Sequence, residues 1–239
     1  MARIGVPHYS PDPGIATVAA LIGDPARAAM LSSLLDGREL SAGELAYRAN
    51  VAPNSASVHL AKLLAGGLLR ARAQGRQRFF ALSGAAVAHA IESLSVIAPP
   101  ANIVALTQAR ISGELRDART CYDHLAGRLG VAVTDVLVRR EVIMPSRGLA
   151  YKLTQQSRAF FSSLEIDLDE VERTRRHFAR QCIDWSERRA HLAGALGAAI
   201  CDRFLANGWV ERLTSSRALR VTPSGHAWLR ATLGIDSSR

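Results

Sequence analysis

The chain has 239 residues and a net charge of +9, from 30 Lys and Arg residues against 21 Asp and Glu residues. It is 48% hydrophobic and 21% charged, which excludes a mostly disordered or fibrous protein and is typical of one large or two small domains. The sequence has no apolar run as long as a membrane helix, no signal peptide and only three cysteines, so we expect a cytoplasmic protein without a membrane partner or a disulfide framework.

The first part of the chain predicts a series of short helices. Residues 1–14 are rich in Pro and Gly and predict a flexible arm, and a first helix is expected from Ile15. Asp24-Pro25 is typical of a helix start and begins a second helix, which ends at Asp36-Gly37. Ser41 precedes Glu44 by three residues, the capping-box spacing, and predicts a third helix over 41–49.

A fourth helix, a hairpin and a fifth helix are predicted next. The fourth helix is expected to be capped by Asn54 or Ser55 and to end at Gly66-Gly67. Two strands over 68–73 and 77–82 are joined by a short turn, and a helix follows over 83–96. This order is the winged helix-turn-helix plan, in which the second helix of the turn enters the DNA major groove.

Charge supports a nucleic-acid partner for the same region. Between Glu44 and Glu92 the sequence has no acidic residue, but it carries Arg48, Lys62 and four later arginines. Such a stretch indicates a surface that faces phosphates. The alternative is a basic face that is merely solvated.

Several motifs together narrow the prediction. They are the run 15–35 with Gly23-Asp24-Pro25-Ala26-Arg27 inside it, then Leu40-Ser41-Ala42-Gly43-Glu44-Leu45-Ala46, Asn54-Ser55-Ala56-Ser57-Val58-His59-Leu60-Ala61-Lys62-Leu63, Gly67-Leu68-Leu69 and Gly75-Arg76-Gln77-Arg78-Phe79-Phe80-Ala81-Leu82. As a set, these motifs resemble the ArsR/SmtB family of dimeric bacterial repressors over residues 15–97.

The resemblance implies a homodimer that binds an inverted repeat in double-stranded DNA. It also implies that the helix from Asn54 to Leu64 is the recognition helix and that the hairpin is the wing. The residues expected to contact bases or phosphates are Asn54, Ser55, Ser57, His59, Lys62, Arg70, Arg72, Arg76, Gln77 and Arg78. For His59, a packing role between helices is the alternative.

The metal sites familiar in that family are missing or incomplete. The helix before the recognition helix reads Ala42-Gly43-Glu44-Leu45-Ala46 and offers no thiol. In the last helix of the winged domain, only His89 and Glu92 match part of the second familiar site. Two ligands per chain make a poor zinc site, so any sensor is expected elsewhere.

The second half of the chain contains an internal repeat. A linker is expected at Ile97-Ala98-Pro99-Pro100-Ala101-Asn102, followed by a helix over 103–119. His124-Leu125-Ala126-Gly127 then matches His191-Leu192-Ala193-Gly194, and later matches keep an offset of 67 to 69 residues. We therefore expect a winged domain over 15–98 and a sensor domain over 99–239, with repeats at 121–167 and 182–236, each reading as helix, strand pair, helix.

Each repeat carries a thiol, an acid and an imidazole. Cys121-Tyr122-Asp123 precedes His124, and Cys182-Ile183-Asp184 stands before His191 with six additional residues. If the repeats pair, Cys121, His124, Cys182 and His191 come together and suit zinc, another thiophilic metal or a metalloid as inducer. Structural burial of the cysteines and a thiol-based redox or electrophile sensor are the alternatives. Cys201 is expected to be a packing residue.

The fold class expected from these patterns is mainly α with small β-hairpins. The leading function is a DNA-binding transcriptional regulator, a repressor released when its C-terminal half senses an inducer. An architectural DNA-binding protein without a sensor, or an enzyme with a winged-helix domain, is the alternative. The enzyme is disfavoured because Gly194-Ala195-Leu196-Gly197 follows a helical pattern with no strand before it, whereas a dinucleotide site needs a strand-to-helix turn.

Overall fold

The computed structural model describes residues 14–98, 113–214 and 216–237. Contacts divide the chain into two units, each described here by itself. The first comprises residues up to Leu35 and Glu39–Gly84, and the second comprises Asp36–Arg38 and Ala85 onward. The predicted arm, apart from Gly14, and most of the linker and of the helix predicted from 103 lie outside the described residues.

Helices in the first unit begin where local capping signals stand. They are α1 (Ile15–Ile22), α2 (Pro25–Ser33), α3 (Ala42–Arg48) and α4 (Pro53–Ala65). Asp24 caps α2 by accepting from the backbone N–H of Arg27, and Ser41 with Glu44 forms a complete capping box on α3. The start of α4 differs from the prediction: Pro53 is its first residue and Ala52 its N-cap, so Asn54 and Ser55 lie in the first turn.

A three-stranded antiparallel sheet completes this unit, in the order β1-β3-β2. Strands β2 (Leu69–Gln74) and β3 (Gln77–Leu82) form the predicted hairpin, and a short β1 (Leu40–Ser41), which the sequence analysis missed, pairs with β3. Helix α5 (Ala85–Ile97) follows. Its contacts group it with the second unit, whereas the sequence pattern placed it in the winged domain that ends at 98.

The second unit alternates hairpins with helices. After a helical turn at 113–117, its elements are β4 (Arg119–Cys121), β5 (His124–Ala126), α6 (Gly127–Arg139), β6 (Ile143–Ser146), β7 (Ala150–Leu153), α7 (Ser157–Ser163), α8 (Leu168–Glu172), β8 (Arg180–Ile183), β9 (Ala190–Ala193), α9 (Gly194–Ala206), β10 (Val210–Arg212), β11 (Leu219–Val221), α10 (Pro223–Trp228) and a π-helical turn (Leu229–Leu233). Each half therefore contains a hairpin, a helix, a second hairpin and a second helix.

Two details of the predicted repeat are wrong. The unit was expected to begin with a helix, but His124 and His191 lie on strands β5 and β9. A strand does precede Gly194, because β9 leads directly into α9. The strand-to-helix turn that the sequence analysis denied is therefore present, although it joins an antiparallel hairpin to a helix rather than two parallel strands to a dinucleotide site.

Two glycines occupy equivalent positions at the strand-to-helix junction of each half. Gly127 and Gly194 adopt φ values of 73° and 84° at the junction of strand and helix, a region that disfavours other residues. Gly130 and Gly197 lie one turn later, where an added Cβ would lie 2.4 Å and 2.5 Å from the backbone oxygens of Leu125 and Leu192. Each helix thus packs its first turn directly on the strand before it.

The two halves of this unit are interlocked. Strand β8 of the second half pairs with β7 of the first at Ala150 and Arg180, and β4 of the first half is bridged at Arg119 to Ala218, next to β11. Helix α9 packs on β5, and α6 packs on β9. The backbone N–H of Leu192 on β9 donates to Thr134 Oγ1 of α6 at 2.9 Å. These contacts, an exchange of packing partners between the two halves, place the two cysteine-bearing hairpins side by side.

One continuous core joins both halves. It includes Leu129, Val133 and Leu137 of α6, and Leu196, Ile200 and Phe204 of α9. The same faces bury Phe161 and Leu229. Among the described residues, no single helix is long and apolar enough to cross a membrane; α1 and α2 reach that length and composition only as a pair, bent by 87°.

Candidate nucleic-acid interface and metal centre

The exposed face of α4 carries the residues predicted to contact DNA. Asn54, Ser55, Ser57 and Lys62 are exposed, while Ala56, Leu60 and Leu63 anchor the opposite face in the core. His59 is only partly exposed, and its Nδ1 lies 3.6 Å from Asp24 Oδ1. His59 therefore contacts the cap of α2, which favours the packing role that was its alternative.

The arginines of the wing fall into two groups, those paired with a carboxylate and those exposed to solvent. Arg70 and Arg72 of β2 form ion pairs with Glu39 at 3.1 Å and 2.9 Å, and Glu39 lies just before the acid-free stretch. Arg76 at the turn and Gln77 and Arg78 on β3 are exposed, with Arg78 5.6 Å from the ring centre of Phe80. Two cations near the tip of the hairpin thus face solvent without a carboxylate partner among the described residues.

Two exposed apolar side chains on the helix-turn-helix escaped the sequence analysis. Tyr47 of α3 is 82% exposed and Val58 of α4 is 55% exposed. Val58 stands beside Ser57 on the solvent face of α4, where the helical spacing alone suggested a core position. Apolar side chains on the exposed face of such helices contact thymine methyl groups in protein–DNA complexes. These two residues are recognised from their exposure in the structure, which the hydrophobic periodicity of the sequence does not reveal.

In the second unit, the two hairpins bring four candidate ligands together. Cys121 and His124 are direct cross-strand partners on β4 and β5, and Cys182 and His191 are partners on β8 and β9. One ligand atom from each of the four lies within 4.8 Å of all the others, and all four residues are buried. The structure thus assembles the set predicted from the repeat.

The separation of the two imidazole nitrogens is close to that expected in a tetrahedral metal centre. Zinc binds thiolate sulfur at about 2.3 Å and imidazole nitrogen at about 2.0–2.1 Å, so tetrahedral ligand atoms lie about 3.3–3.8 Å apart. The Nε2 atoms of His124 and His191 are 3.1 Å apart, with the rings stacked at a centroid distance of 5.0 Å. With a thiol of Cys121 and of Cys182 within 4.8 Å, the residues present fit one mononuclear metal ion.

A fully buried carboxylate supports His191. Asp184 Oδ2 lies 3.6 Å from Nδ1 of His191, accepts from the Gly127 backbone N–H at 2.7 Å and pairs with Arg119 at 2.8 Å. Its Oδ1 accepts from the backbone and hydroxyl of Ser186. Carboxylates in this position orient metal-binding imidazoles. The Arg119 guanidinium also stacks 4.8 Å from the ring of Trp185.

His124 has a corresponding but more open support. Its Nδ1 lies 3.3 Å from Asp123 Oδ1, and Asp123 pairs with the partly exposed Arg176 at 2.6 Å. The Nδ1 atom of each histidine therefore lies near a carboxylate, hydrogen-bonded at 3.3 Å in His124 but only in proximity at 3.6 Å in His191. At His124 this contact leaves Nε2 as the nitrogen that would bind a metal.

Protonation differs between the ligands. Burial, reinforced by the nearby His124 ring, lowers the pKa of His191 below its usual value. Burial acts in the same direction on His124, but hydrogen bonds to Asp123 and Cys121 outweigh it and raise the pKa of that histidine. The hydrogen bond from Cys121 lowers the pKa of the Cys182 thiol. A metal binds the neutral imidazole and the thiolate, so the lowered pKa values of His191 and Cys182 favour binding, whereas the raised pKa of His124 opposes it.

The third cysteine lies apart from this centre. Cys201 belongs to the main core and is 1% exposed. Burial raises the pKa of its thiol to about 12, which suppresses both metal binding and reaction with thiol reagents.

Helix α5 reaches the edge of the centre. Cys121 Sγ donates to Glu92 Oε2 at 3.5 Å, and Arg217 donates to Glu92 Oε1 at 2.8 Å. His89, Glu92 and Cys121 form a second group whose ligand atoms lie within 4.8 Å of one another. The sequence analysis set His89 and Glu92 aside because the first ligand pair of the familiar site is missing. Their neighbour Cys121 lies 29 residues beyond Glu92 in the sequence, so no local spacing pointed to it.

Comparisons with known proteins agree with the winged-helix architecture. Residues 22–72 match the family model described as a helix-turn-helix domain. The chain is 44% identical over 214 residues to YdfF of Bacillus subtilis (strain 168), described as an uncharacterized HTH-type transcriptional regulator, with 90% of this chain and 94% of that protein covered.

Solved structures match between a third and two fifths of this chain. Reduced HlyU from Vibrio cholerae N16961 is 34% identical, with a TM-score of 0.32, over 34% of this chain and 83% of its own. The cadmium metal-sensor CMTR from Mycobacterium tuberculosis is 30% identical, with a TM-score of 0.31, over 38% of this chain and 98% of its own.

The fold and the relatives define a DNA-binding transcription factor rather than an enzyme. More particularly, the chain belongs to the HTH-type transcriptional regulators, the class that the ArsR/SmtB resemblance of residues 15–97 predicted. The predicted family and the predicted winged helix-turn-helix are thereby confirmed.

Proposed function

We propose that this regulator is a metal-responsive repressor, which binds its operator as a homodimer and releases it when a thiophilic divalent ion such as Zn²⁺ occupies the second unit. The ligands would be Cys121, His124, Cys182 and His191. The observation that carries the proposal is the convergence of these four ligand atoms within 4.8 Å in the protein interior.

The donor set favours a soft or borderline divalent ion. Two thiolates and two neutral imidazoles are ligands that zinc and related ions prefer over Mg²⁺ or Ca²⁺, which bind oxygen. Two thiolates also balance the charge of a divalent ion, and this matters because each ligand residue is at most 6% exposed. A trivalent arsenical bound by three thiolates is disfavoured, since Cys201 lies in the main core and outside the group of four.

A thiol-reactive signal is the second candidate. The Sγ atoms of Cys121 and Cys182 lie within 4.8 Å of each other, and the lowered pKa of the Cys182 thiol favours reaction with an oxidant or electrophile. Burial of both residues limits access to such reagents. The metal therefore remains the leading signal, and oxidants serve as a separate arm of the test.

DNA binding would use α4 and the wing. Asn54, Ser55 and Ser57 are available to base edges, and Lys62, Arg76 and Arg78 to phosphates. Arg70 and Arg72 would have to exchange Glu39 for a phosphate. Two such helices in a dimer, about one DNA turn apart, read an inverted repeat.

Exposed apolar side chains favour a dimer. Ile15 and Val18 of α1 are 64% and 38% exposed, and α1 has no buried residue. On α5, Leu94 and Ile97 are 45% and 80% exposed. Ile91 of the same helix is buried within the chain. A second copy that covers α1 and the end of α5 would remove this apolar surface from water.

The second unit is further proposed to be an internal duplication. Supporting this are the equivalent pairs Gly127 and Gly194, and Gly130 and Gly197, together with the same order of hairpins and helices. A duplicated unit explains why each half supplies one thiol and one imidazole.

Removing both site thiols tests the proposed function. In the purified protein we expect one zinc ion per chain and an operator affinity that zinc weakens by about 5- to 150-fold, the usual range of allosteric coupling. The variant Cys121→Ser/Cys182→Ser should bind operator normally without zinc, yet neither bind zinc nor release DNA. Elemental analysis and fluorescence anisotropy with an operator duplex measure the two quantities.

Cys201→Ala is the matched control, because it removes a buried thiol that lies outside the site. It should retain zinc binding and release. If the double variant folds and still releases DNA fully with zinc, the four residues are structural. Release by a mild oxidant but not by zinc would favour the thiol-reactive signal, and no response to either would favour an architectural DNA-binding protein.

A further inference from the structure

The four ligands of the proposed centre are sealed from solvent. Cys121 and His124 are each 4% exposed, Cys182 is 6% exposed and His191 is 0% exposed. An ion that is hydrated in water must shed its water molecules and reach this interior. A metal site of this kind needs a route from the surface.

Helix α5 provides such a route. His89 is exposed, whereas Glu92, one turn further along the same helix, is buried at 4% exposure. The ligand atoms of His89, Glu92 and Cys121 lie within 4.8 Å of one another, as do those of the Cys121, His124, Cys182 and His191 set. Cys121 belongs to both groups and therefore connects the surface to the buried centre.

Glu92 is oriented for this task. Arg217 holds its Oε1 at 2.8 Å, and the Arg119 Nε is 3.9 Å from the same oxygen. The other oxygen, Oε2, faces Cys121 Sγ at 3.5 Å. The carboxylate is thus neutralised from one side and offers its second oxygen toward the shared thiol.

The chemistry of the group suits transient binding. An imidazole, a carboxylate and a thiol can replace water molecules on a borderline divalent ion one at a time. Its single thiol makes this group weaker for such an ion than the set of two thiols and two imidazoles. An ion that binds at His89 is therefore drawn toward the interior.

We propose that His89, Glu92 and Cys121 form a loading site through which a thiophilic divalent ion reaches the centre; this inference rests on the proposed metal site. The ion stays bound to the Cys121 sulfur while it exchanges His89 and Glu92 for His124, Cys182 and His191. The two thiols lose their protons to solvent as metal–sulfur bonds form, and no group is oxidised or reduced.

A loading site has a distinctive kinetic signature. A group that contacts only the passing ion lowers the barrier equally in both directions, so its loss slows uptake and release by the same factor. The equilibrium dissociation constant is then unchanged, because it is the ratio of the two rate constants. A resident ligand behaves differently, since its loss mainly speeds release.

His89→Ala in the full-length, metal-free chain tests the inference, with Co²⁺ as the probe. Uptake is followed in a stopped-flow instrument by the thiolate-to-cobalt absorption band, and release by transfer to a chelator. We expect both rate constants to fall by about tenfold, within the range by which a local ligand group raises association rates. The dissociation constant should stay the same.

His177→Ala is the control, because it removes another exposed imidazole from the same unit and should leave both rates unchanged. Equal rates in His89→Ala and the natural protein would overturn the loading site while leaving the buried centre intact. A weaker dissociation constant through faster release would make His89 a resident ligand, which also overturns it. If the natural protein gives no cobalt–thiolate band, the proposed metal centre itself fails.

Discussion

Arginines in the two units show how the environment decides what a charge does. At the tip of the wing, Arg76 and Arg78 are exposed to water. In the second unit, Arg119 is 1% exposed, pairs with Asp184 at 2.8 Å and donates to the Leu115 carbonyl. The first two are free to meet a polyanion, whereas the third is fully engaged inside the protein.

This contrast predicts opposite signatures for charge substitutions. A solvated cation costs little to remove, but its loss reduces attraction to phosphates in a salt-dependent way. Removing one member of a buried pair leaves its partner desolvated and uncompensated, whatever the salt concentration. We therefore expect the wing arginines to contribute to DNA binding, and the interior pair to contribute to stability and to the support of His191.

The largest effect is expected from Asp184→Asn. The substitution leaves the Arg119 guanidinium buried without its closest carboxylate, since Glu92 is 3.9 Å from Arg119 Nε. We expect a loss of about 3–5 kcal/mol in the free energy of unfolding, measured by urea denaturation, with little dependence on salt.

Asp117→Asn is its control. Asp117 and Arg128 also pair at 2.9 Å, but their side chains are 61% and 60% exposed, so a change below about 1 kcal/mol is expected. Similar losses for both variants would mean that burial does not decide the value of these pairs.

Wing arginines are expected to give a smaller effect, confined to DNA binding. Arg76→Ala/Arg78→Ala should weaken binding to all DNA sequences and reduce the slope of log affinity against log salt by about 0.9 per lost phosphate contact. Arg70→Ala/Arg72→Ala should change the slope less, because both side chains pair with Glu39. Unfolding free energies should hardly move. A salt slope identical to that of the natural protein would remove Arg76 and Arg78 from the interface.

The smallest effect is expected from the buried thiol of Cys201. Burial raises the pKa of Cys201 to about 12, so at about pH 8 only about one thiol in ten thousand is ionised in the folded state. In Cys121→Ser/Cys182→Ser, the remaining thiol should resist a thiol reagent until urea unfolds the chain.

The free energy of unfolding should depend on pH through the ionisation of the same thiol. The folded pKa lies above the unfolded value of about 8.5, so the contribution of this thiol is present below pH 8.5 and is lost as the pH rises toward 12. Rapid labelling of Cys201 in the folded double variant at about pH 8 would contradict this pKa, because it would show that the core around Cys201 is open to solvent.

Local signals predicted the first unit well. Asp24-Pro25 and the pair Ser41 and Glu44 specify caps within three or four residues, and the structure contains both. The N-cap of α4 was placed two or three residues late because Ala52 offers no capping side chain. Strand β1 was missed because two residues carry no periodicity.

The second unit depends on contacts that periodicity does not encode. The four candidate ligands were predicted because they recur in the repeat. The hairpin that carries Cys121 and His124 was not predicted. Its turn uses Tyr122 at a φ of 63° rather than a glycine, so no turn signal was present. The supporting residues Arg119 and Glu92 lie far from Asp184 and Cys121 in the sequence and become neighbours only through the exchange between halves.

That exchange also bears on how the protein is made. Strand β4 reaches its bridge partner Ala218 and the Arg217 carbonyl only after nearly all of the chain has left the ribosome. Pairings between such distant segments form slowly, because a long loop must be ordered before any contact compensates for it. The winged unit, built from neighbouring segments, can fold first. A nascent chain would thus complete its DNA-binding unit before the hairpins that carry Cys121 and Cys182 are brought together.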